Sequence, residues 1–194
     1  QILSQLQPNL PKDLEEISST IPHPEGITID DKENIYVSSA STGNIFVVTK
    51  KDLKVHANTK GRPLGIAFSK KNSSLIVADA TRKAILRISL GNGSVSQICN
   101  QYDEMSLNGP SDLVITDNDE IIFTDPIRNP FPNPCISPVY KMLKNNKPEL
   151  FLSDLAFPSG IASIENKILI SETRANRLVV MENLNSEENI EPQM

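Results

Sequence analysis

Pro158-Ser159-Gly160-Ile161-Ala162-Ser163 is the last of four versions of one phrase. The others are Pro24-Glu25-Gly26-Ile27-Thr28-Ile29, Pro63-Leu64-Gly65-Ile66-Ala67-Phe68 and Pro110-Ser111-Asp112-Leu113-Val114-Ile115, and the four prolines are 39, 47 and 48 residues apart. After each phrase a polar turn leads into a compact β-rich run that ends in a small or acidic residue: Ile35 to Ser39, Leu75 to Asp79, Ile121 to Asp125 and Ile168 to Glu172. A third run follows in every unit, at Asn44 to Val48, Ala84 to Ile88, Val139 to Met142 and Arg177 to Met181. A weaker fourth fits Lys54 to Ala57, Val95 to Cys99 and Glu149 to Leu152.

The turns between first and second runs, such as Asp30 to Asn34 and Thr116 to Asp119, have the Asp, Asn and Ser content that reverses a chain between strands. No segment shows a sustained helical period, and the polar stretch Lys12 to Ser18 reads as a surface turn. A strand-only repeat of this length is the sequence form of a propeller blade. The expectation is an all-β chain forming a single propeller domain over residues 1–194, with blades at about 20–58, 59–100, 101–153 and 154–194, the last incomplete.

Composition narrows the partners. The 194 residues carry a formal net charge of -5 and no block of Lys and Arg, so there is no electrostatic footprint for nucleic acid or an anionic membrane surface. No stretch approaches the roughly 18 apolar residues of a membrane span. Two cysteines, Cys99 and Cys135, are too few for a disulfide-framed scaffold and leave the compartment and localisation open. The chain starts at Gln1 with no charged-then-apolar leader, so any targeting segment is expected to lie outside it. Two N-glycosylation sequons, Asn72-Ser73-Ser74 and Asn92-Gly93-Ser94, would matter in a secreted protein, but such tripeptides arise often by chance and carry little weight here.

The motifs are more specific than the architecture requires. Leu107-Asn108-Gly109-Pro110-Ser111-Asp112, followed by Ile122-Phe123-Thr124-Asp125-Pro126, resembles the third blade of the senescence-marker-protein/gluconolactonase/luciferin-regenerating-enzyme-like propellers. Phe157-Pro158-Ser159-Gly160-Ile161-Ala162, with Ile170-Ser171-Glu172-Thr173 and Arg177, is similar to another motif pair of that family. Arg62-Pro63-Leu64-Gly65-Ile66 also resembles the related strictosidine-synthase-like propellers. The resemblance implies a six-bladed ring; with four units present, the chain is expected to be a fragment lacking about two blades.

In a closed ring the residues after the repeat prolines, Glu25, Leu64, Ser111 and Ser159, converge on the mouth of the central channel. The resemblance implies that Glu25 is a calcium ligand and that Ser111 and Ser159 stand where the family has asparagines completing the coordination with substrate. Calcium, or another divalent metal, needs about six to eight hard oxygen ligands including carboxylates, and serine is a shorter and poorer ligand than asparagine. Ser111, Ser159 and Leu64 are accordingly the expected substrate contacts. No Gly-x-Ser-x-Gly elbow surrounds either serine, so both read as hydrogen-bonding groups rather than nucleophiles.

Catalytic candidates are His23, beside the mouth as a proton relay, and Asp125, at the head of the overhanging loop. Plainer readings are a solvated loop histidine and, for Asp79, Asp125 and Glu172 alike, strand-end caps. Asp112, which alternation points away from Ser111, is expected to support a neighbouring ligand residue or to join blades rather than coordinate a metal itself. Residues Pro126 to Pro138 hold five of the chain's 14 prolines and are expected to break any β ladder, as a substrate-covering loop or a rigid connector.

Together these readings lead to the expectation of a small-molecule substrate and of a metal-dependent lactone or ester hydrolase, impaired by the two serines. One alternative is a non-catalytic binding propeller that has lost its metal. Another is a strictosidine-synthase-like enzyme, which would need a catalytic acid from a further blade. Oligomeric state is not legible.

Overall fold

A computed structural model of the chain describes residues 16–18, 20–49, 52–127, 130, 133–143 and 145–182. Strands β1 (Pro24–Ile29), β2 (Ile35–Ser39), β3 (Asn44–Val48) and β4 (Leu53–Asn58) form one antiparallel sheet in chain order. Strands β5 (Pro63–Ser69), β6 (Ser74–Asp79), β7 (Ala84–Ser89) and β8 (Val95–Cys99) form the next. A short ribbon of β9 (Gln101–Tyr102) and β10 (Met105–Ser106) leads to the third sheet: β11 (Leu113–Ile115), β12 (Ile121–Thr124), β13 (Ile136–Met142) and β14 (Pro148–Ala156). The fourth has three strands, β15 (Pro158–Ile164), β16 (Lys167–Glu172) and β17 (Arg177–Met181).

The fold is all-β, with four blades in a propeller arrangement and the first strands β1, β5, β11 and β15 in contact along the inside. Among the described residues there is no helix, and none long and apolar enough to cross a membrane. Of the expected surface turn from Lys12 to Ser18, residues 12–15 lie outside the described residues and 16–18 carry no regular structure.

Burial follows position in the stack. In β6, Leu75, Ile76, Val77 and Ala78 are all fully buried. Leu75 and Val77 pack toward the first blade with Tyr36, Ile45 and Val47; Ile76 and Ala78 pack toward the third with Leu113, Phe123 and Tyr140. A strand covered on both faces reads as a continuous apolar run, whereas one covered on a single face alternates. In the edge strands β1 and β17 of the end blades it is burial that alternates, and apolar residues on the outward face are uncovered: Ile27 and Ile29 are 66% and 57% exposed, Leu178 and Val180 77% and 56%.

At the inner end of each first strand the ladder slips, between Pro24 and Ile27, Pro63 and Ile66, and Pro158 and Gly160. In the third blade the irregularity is larger. The regular strand starts at Leu113 rather than at Pro110, and Ser111 N–H to the Thr124 carbonyl (3.1 Å) carries the pairing onward.

A slip leaves backbone donors without ladder partners, and a buried orphan costs about 1–3 kcal/mol. Hydroxyls near the ends of the second strands accept them: Gly26 N–H donates to Ser38 Oγ (2.8 Å), Asp112 N–H to Thr124 Oγ1 (3.1 Å) and Gly160 N–H to Ser171 Oγ (3.0 Å). Two of these hydroxyls then donate across to the next blade, Ser38 to the Leu64 carbonyl (2.5 Å) and Thr124 to the Ser159 carbonyl (3.2 Å). The second blade has Ala78 at this position, and there Gly65 N–H donates directly to the Ser111 carbonyl (2.9 Å).

The residues closing the second strands hold the loops that enter each repeat. Ser39 Oγ donates to the Pro22 carbonyl, and Asp79 Oδ1 accepts Arg62 N–H and Arg82 N–H, both at 2.9 Å. Glu172 accepts Ala156 N–H at 2.7 Å and pairs with the Arg177 guanidinium, whose hydrogen bond holds the carboxyl below its usual range. Asp112 joins blades as expected: Oδ1 accepts Leu113 N–H (2.9 Å), and Oδ2 reaches Ile161 N–H of the fourth blade (3.1 Å).

The proline-rich stretch corrects one expectation. It does not exclude a strand, because β13 begins at Ile136 and includes Pro138. That proline stands where the register with β14 shifts, and its carbonyl accepts Asp125 N–H (3.1 Å); a bulge is where a strand tolerates a residue with no donor. Arg128, Asn129, Phe131 and Pro132 of the same stretch lie outside the described residues.

Gly65 tests how tightly the inner strands must approach. A Cβ there would lie 2.4 Å from Asp112 Oδ1 and 2.7 Å from Asp112 Cα. Gly65→Ala is expected to lower unfolding free energy by about 1–3 kcal/mol, the usual cost of overpacking, read as a fall in urea midpoint at constant slope. An unchanged midpoint would show that blades two and three need no such contact.

Candidate functional site

The slip that strands a backbone donor also turns the residue after each proline toward the axis. Glu25, Leu64, Ser111 and Ser159, one from each blade, line a single cavity of about 520 Å³. Ile27, Ile66, Leu113 and Ile161 are among the residues lining the same cavity, whose exposed lining is mainly polar. Glu25 is exposed, Leu64 is buried and the two serines are half-buried.

The serines are not equivalent. Ser159 Oγ lies 2.6 Å from Thr173 Oγ1 and 3.1 Å from Ser171 Oγ, so its hydroxyl is engaged twice within its own blade. Ser111 engages through its backbone, and its hydroxyl has no hydrogen-bond partner among the described residues. Sequence reasoning missed Ser171 and Thr173 as neighbours of the site. The signal was present in Ser171-Glu172-Thr173, where alternation sends the two hydroxyl residues to one side and the glutamate to the other.

Neither His23 nor Asp125 is among the residues lining this cavity. His23 is exposed, with φ 41°, and its carbonyl accepts Ala40 N–H (3.1 Å). Asp125 is 1% exposed and grips the loop before the third repeat proline: Asn108 N–H and Gly109 N–H each donate to it at 2.8 Å. Burial pushes its carboxyl up to about 6, against the pull of those two donors and of Lys83. Burial and then the nearby Asp125 charge push the Tyr140 phenol up to about 12. Burial likewise raises Asp112, whose carboxylate lies in the cavity wall.

The donor set does not by itself fit calcium. Among the described residues no three His, Cys, Asp or Glu side chains come together. Around the cavity stand the Glu25 carboxylate, the Ser111 hydroxyl, a Ser159 hydroxyl already engaged by its neighbours and Asp112, whose carboxylate accepts from Leu113 and Ile161 N–H. About six to eight oxygens are needed.

Four antiparallel blades whose inner strands enclose a partly apolar cavity with one residue from each blade at its mouth define a β-propeller with an axial site. Residues 23–193 match the SMP-30/Gluconolactonase/LRE-like region, and the chain belongs to that family. It is 38% identical over 65 residues, 34% of its length, to Protein STRICTOSIDINE SYNTHASE-LIKE 3 of Arabidopsis thaliana. It is 30% identical over 135 residues, 61% of its length, to the Adipocyte plasma membrane-associated protein Hemomucin of Drosophila melanogaster. The chain spans 16% and 23% of the length of these two relatives. Its fold is similar to that of a gluconolactonase from Xanthomonas campestris, with a TM-score of 0.72 at 20% identity, covering 83% of this chain and 58% of that one.

The raised carboxyl of Asp125 sets a pH dependence. Its folded value of about 6 lies above the ordinary 3.8, so the ionised form is the one folding disfavours. The stability it contributes is fully present below about pH 4 and is lost as pH rises through about 6. Relative to Asp125→Asn, the wild type is expected to lose up to about 3 kcal/mol between pH 4 and pH 7, measured by urea denaturation across that range. A difference independent of pH would mean that the carboxyl titrates as if exposed.

Proposed function

We propose that the axial mouth is the ligand site of a lactone- or ester-directed propeller. The observation that carries this reading is the convergence of Glu25, Leu64, Ser111 and Ser159 on one cavity. Its volume of about 520 Å³ falls within the range of roughly 300–1,000 Å³ typical of small-molecule sites. Leu64 and the isoleucines behind the rim suit a carbon skeleton. The Ser111 hydroxyl is available to donate to a carbonyl oxygen, and Glu25 to accept from ligand hydroxyls. Family membership supports lactones and esters as the class.

Hydrolysis of that ligand is the chemistry family membership favours, with Glu25 as the carboxylate this portion would contribute to a divalent metal. A metal bound there would polarise the scissile carbonyl. The described residues do not complete its coordination, and no step is routed through it. A second reading, binding without catalysis, is favoured by the Ser159 hydroxyl, which Thr173 and Ser171 hold where a free ligand oxygen is needed.

The two readings separate in one experiment on the full-length protein: hydrolysis of glucono-1,5-lactone and an aryl-ester panel with and without calcium, alongside calorimetry of the same compounds. Calcium-dependent turnover that Glu25→Gln lowers at least about tenfold, equivalent to 1.4 kcal/mol, establishes the hydrolase. Binding without turnover, weakened about fivefold by Ser111→Ala for one lost hydrogen bond, establishes the binding propeller. Neither turnover nor binding across the panel would refute a lactone- or ester-directed site.

A further inference from the structure

The turn between β7 and β8 carries chemistry that the axial site does not use. Its sequence, Gly91-Asn92-Gly93-Ser94, contains one of the two sequons. Strand register places it at the end of the blade away from the mouth. Strand β5 starts beside the cavity at Pro63 and ends at Ser69, which pairs with Ser74, and Ser74 in turn pairs with Ser89 at the end of β7. Leu90 N–H donating to the Ser73 carbonyl (3.4 Å) ties the two far-end turns together.

Hairpin geometry explains two of the sequon residues and leaves the third without a structural role. Gly93 has φ +68°, and a Cβ there would lie 2.2 Å from the His56 carbonyl oxygen, so the turn is seated on the neighbouring blade and only glycine fits. Asn92 is exposed, and its Oδ1 accepts Ser94 N–H (3.0 Å), leaving the amide nitrogen without a hydrogen-bond partner among the described residues. Ser94 is exposed, and its hydroxyl holds no partner among the described residues. The hairpin closes through the Ser94 backbone carbonyl and Ser89 N–H (3.0 Å), which any residue would supply.

The other sequon differs at its first and last residues. Asn72 Nδ2 donates to Ser69 Oγ (3.2 Å), and the Ser74 hydroxyl that would complete the motif is buried at the start of β6. Once the second blade has formed, that hydroxyl is out of reach of a transferase.

We infer that Asn92 is an N-linked glycan acceptor, displayed on the rim of the second blade opposite the axial mouth, and that this rim faces the lumen of the secretory pathway. In the transfer, the Asn92 amide nitrogen bonds to C1 of an oligosaccharide carried on a lipid pyrophosphate. The C1–O bond to phosphate breaks, one amide proton is given up to a base, and the lipid pyrophosphate leaves, with no net oxidation or reduction. A glycan there clears the mouth, because Asn92 is exposed and the turn lies at the opposite end of the blade.

The test is expression of the full-length reading frame in eukaryotic cells, with peptide amidase treatment in heavy-oxygen water and mass analysis of the peptides containing residues 72 and 92. The expected result is a mobility shift removed by the amidase and an Asn92 converted to labelled aspartate. Asn92→Gln and, as a change that leaves the turn backbone intact, Ser94→Ala each abolish the labelling; Ser94→Thr and Asn72→Gln retain it. Absence of any shift in the wild type, or a shift that survives Ser94→Ala, overturns the inference.

Discussion

A sheet that is apolar on both faces cannot stand alone in water, and this constraint organises the molecule. The second blade satisfies it completely: Leu75 and Val77 are covered from one side, Ile76 and Ala78 from the other, and all four are fully buried. At roughly 25 cal/mol per Å² of apolar surface, continued face-to-face stacking is the cheapest way to bury such strands. The outer blades meet it on one face only, which leaves Ile27, Ile29, Leu178 and Val180 uncovered.

Stacking sheets around an axis brings the inner strands too close for a regular ladder along their full length. The fold accommodates this with a slip after each repeat proline, a hydroxyl that accepts the freed N–H, and hydrogen bonds passed to the next blade. The same distortion aims one side chain per blade at the axis. Site and fold therefore share a cause, and the polar residues that the first and second strands carry divide into those the backbone consumes and those it leaves available. Asp79, Asp125 and Glu172 hold entry loops, Asp112 joins two blades, and Ser159 is engaged by its neighbours. Glu25 and Ser111 are left facing the cavity. Family membership alone does not make this division, since a propeller hosts many chemistries and function resides in the particular groups at the mouth.

Much of the architecture was legible along the chain because it depends on local order. The four proline phrases, the strands and the turn residues recur in the same order in each unit, and the strands of the structure fall on them. Where the reading fell short, the cause was pairing across the sheet. Pro138 enters a strand because β14 happens to shift register opposite it, and Pro110 to Asp112 leave the regular strand because their bonds go to Thr124 and the neighbouring blades.

What the sequence determined by itself was the number of repeats, their strands and the identity of the residue at each axial position, since these follow from periodicity and backbone preference over a few residues. Only the tertiary structure decided which of those residues remain chemically available. That depends on hydrogen bonds between groups such as Ser159 and Thr173, or Asp112 and Ile161, which are distant along the chain and meet only when the blades stack.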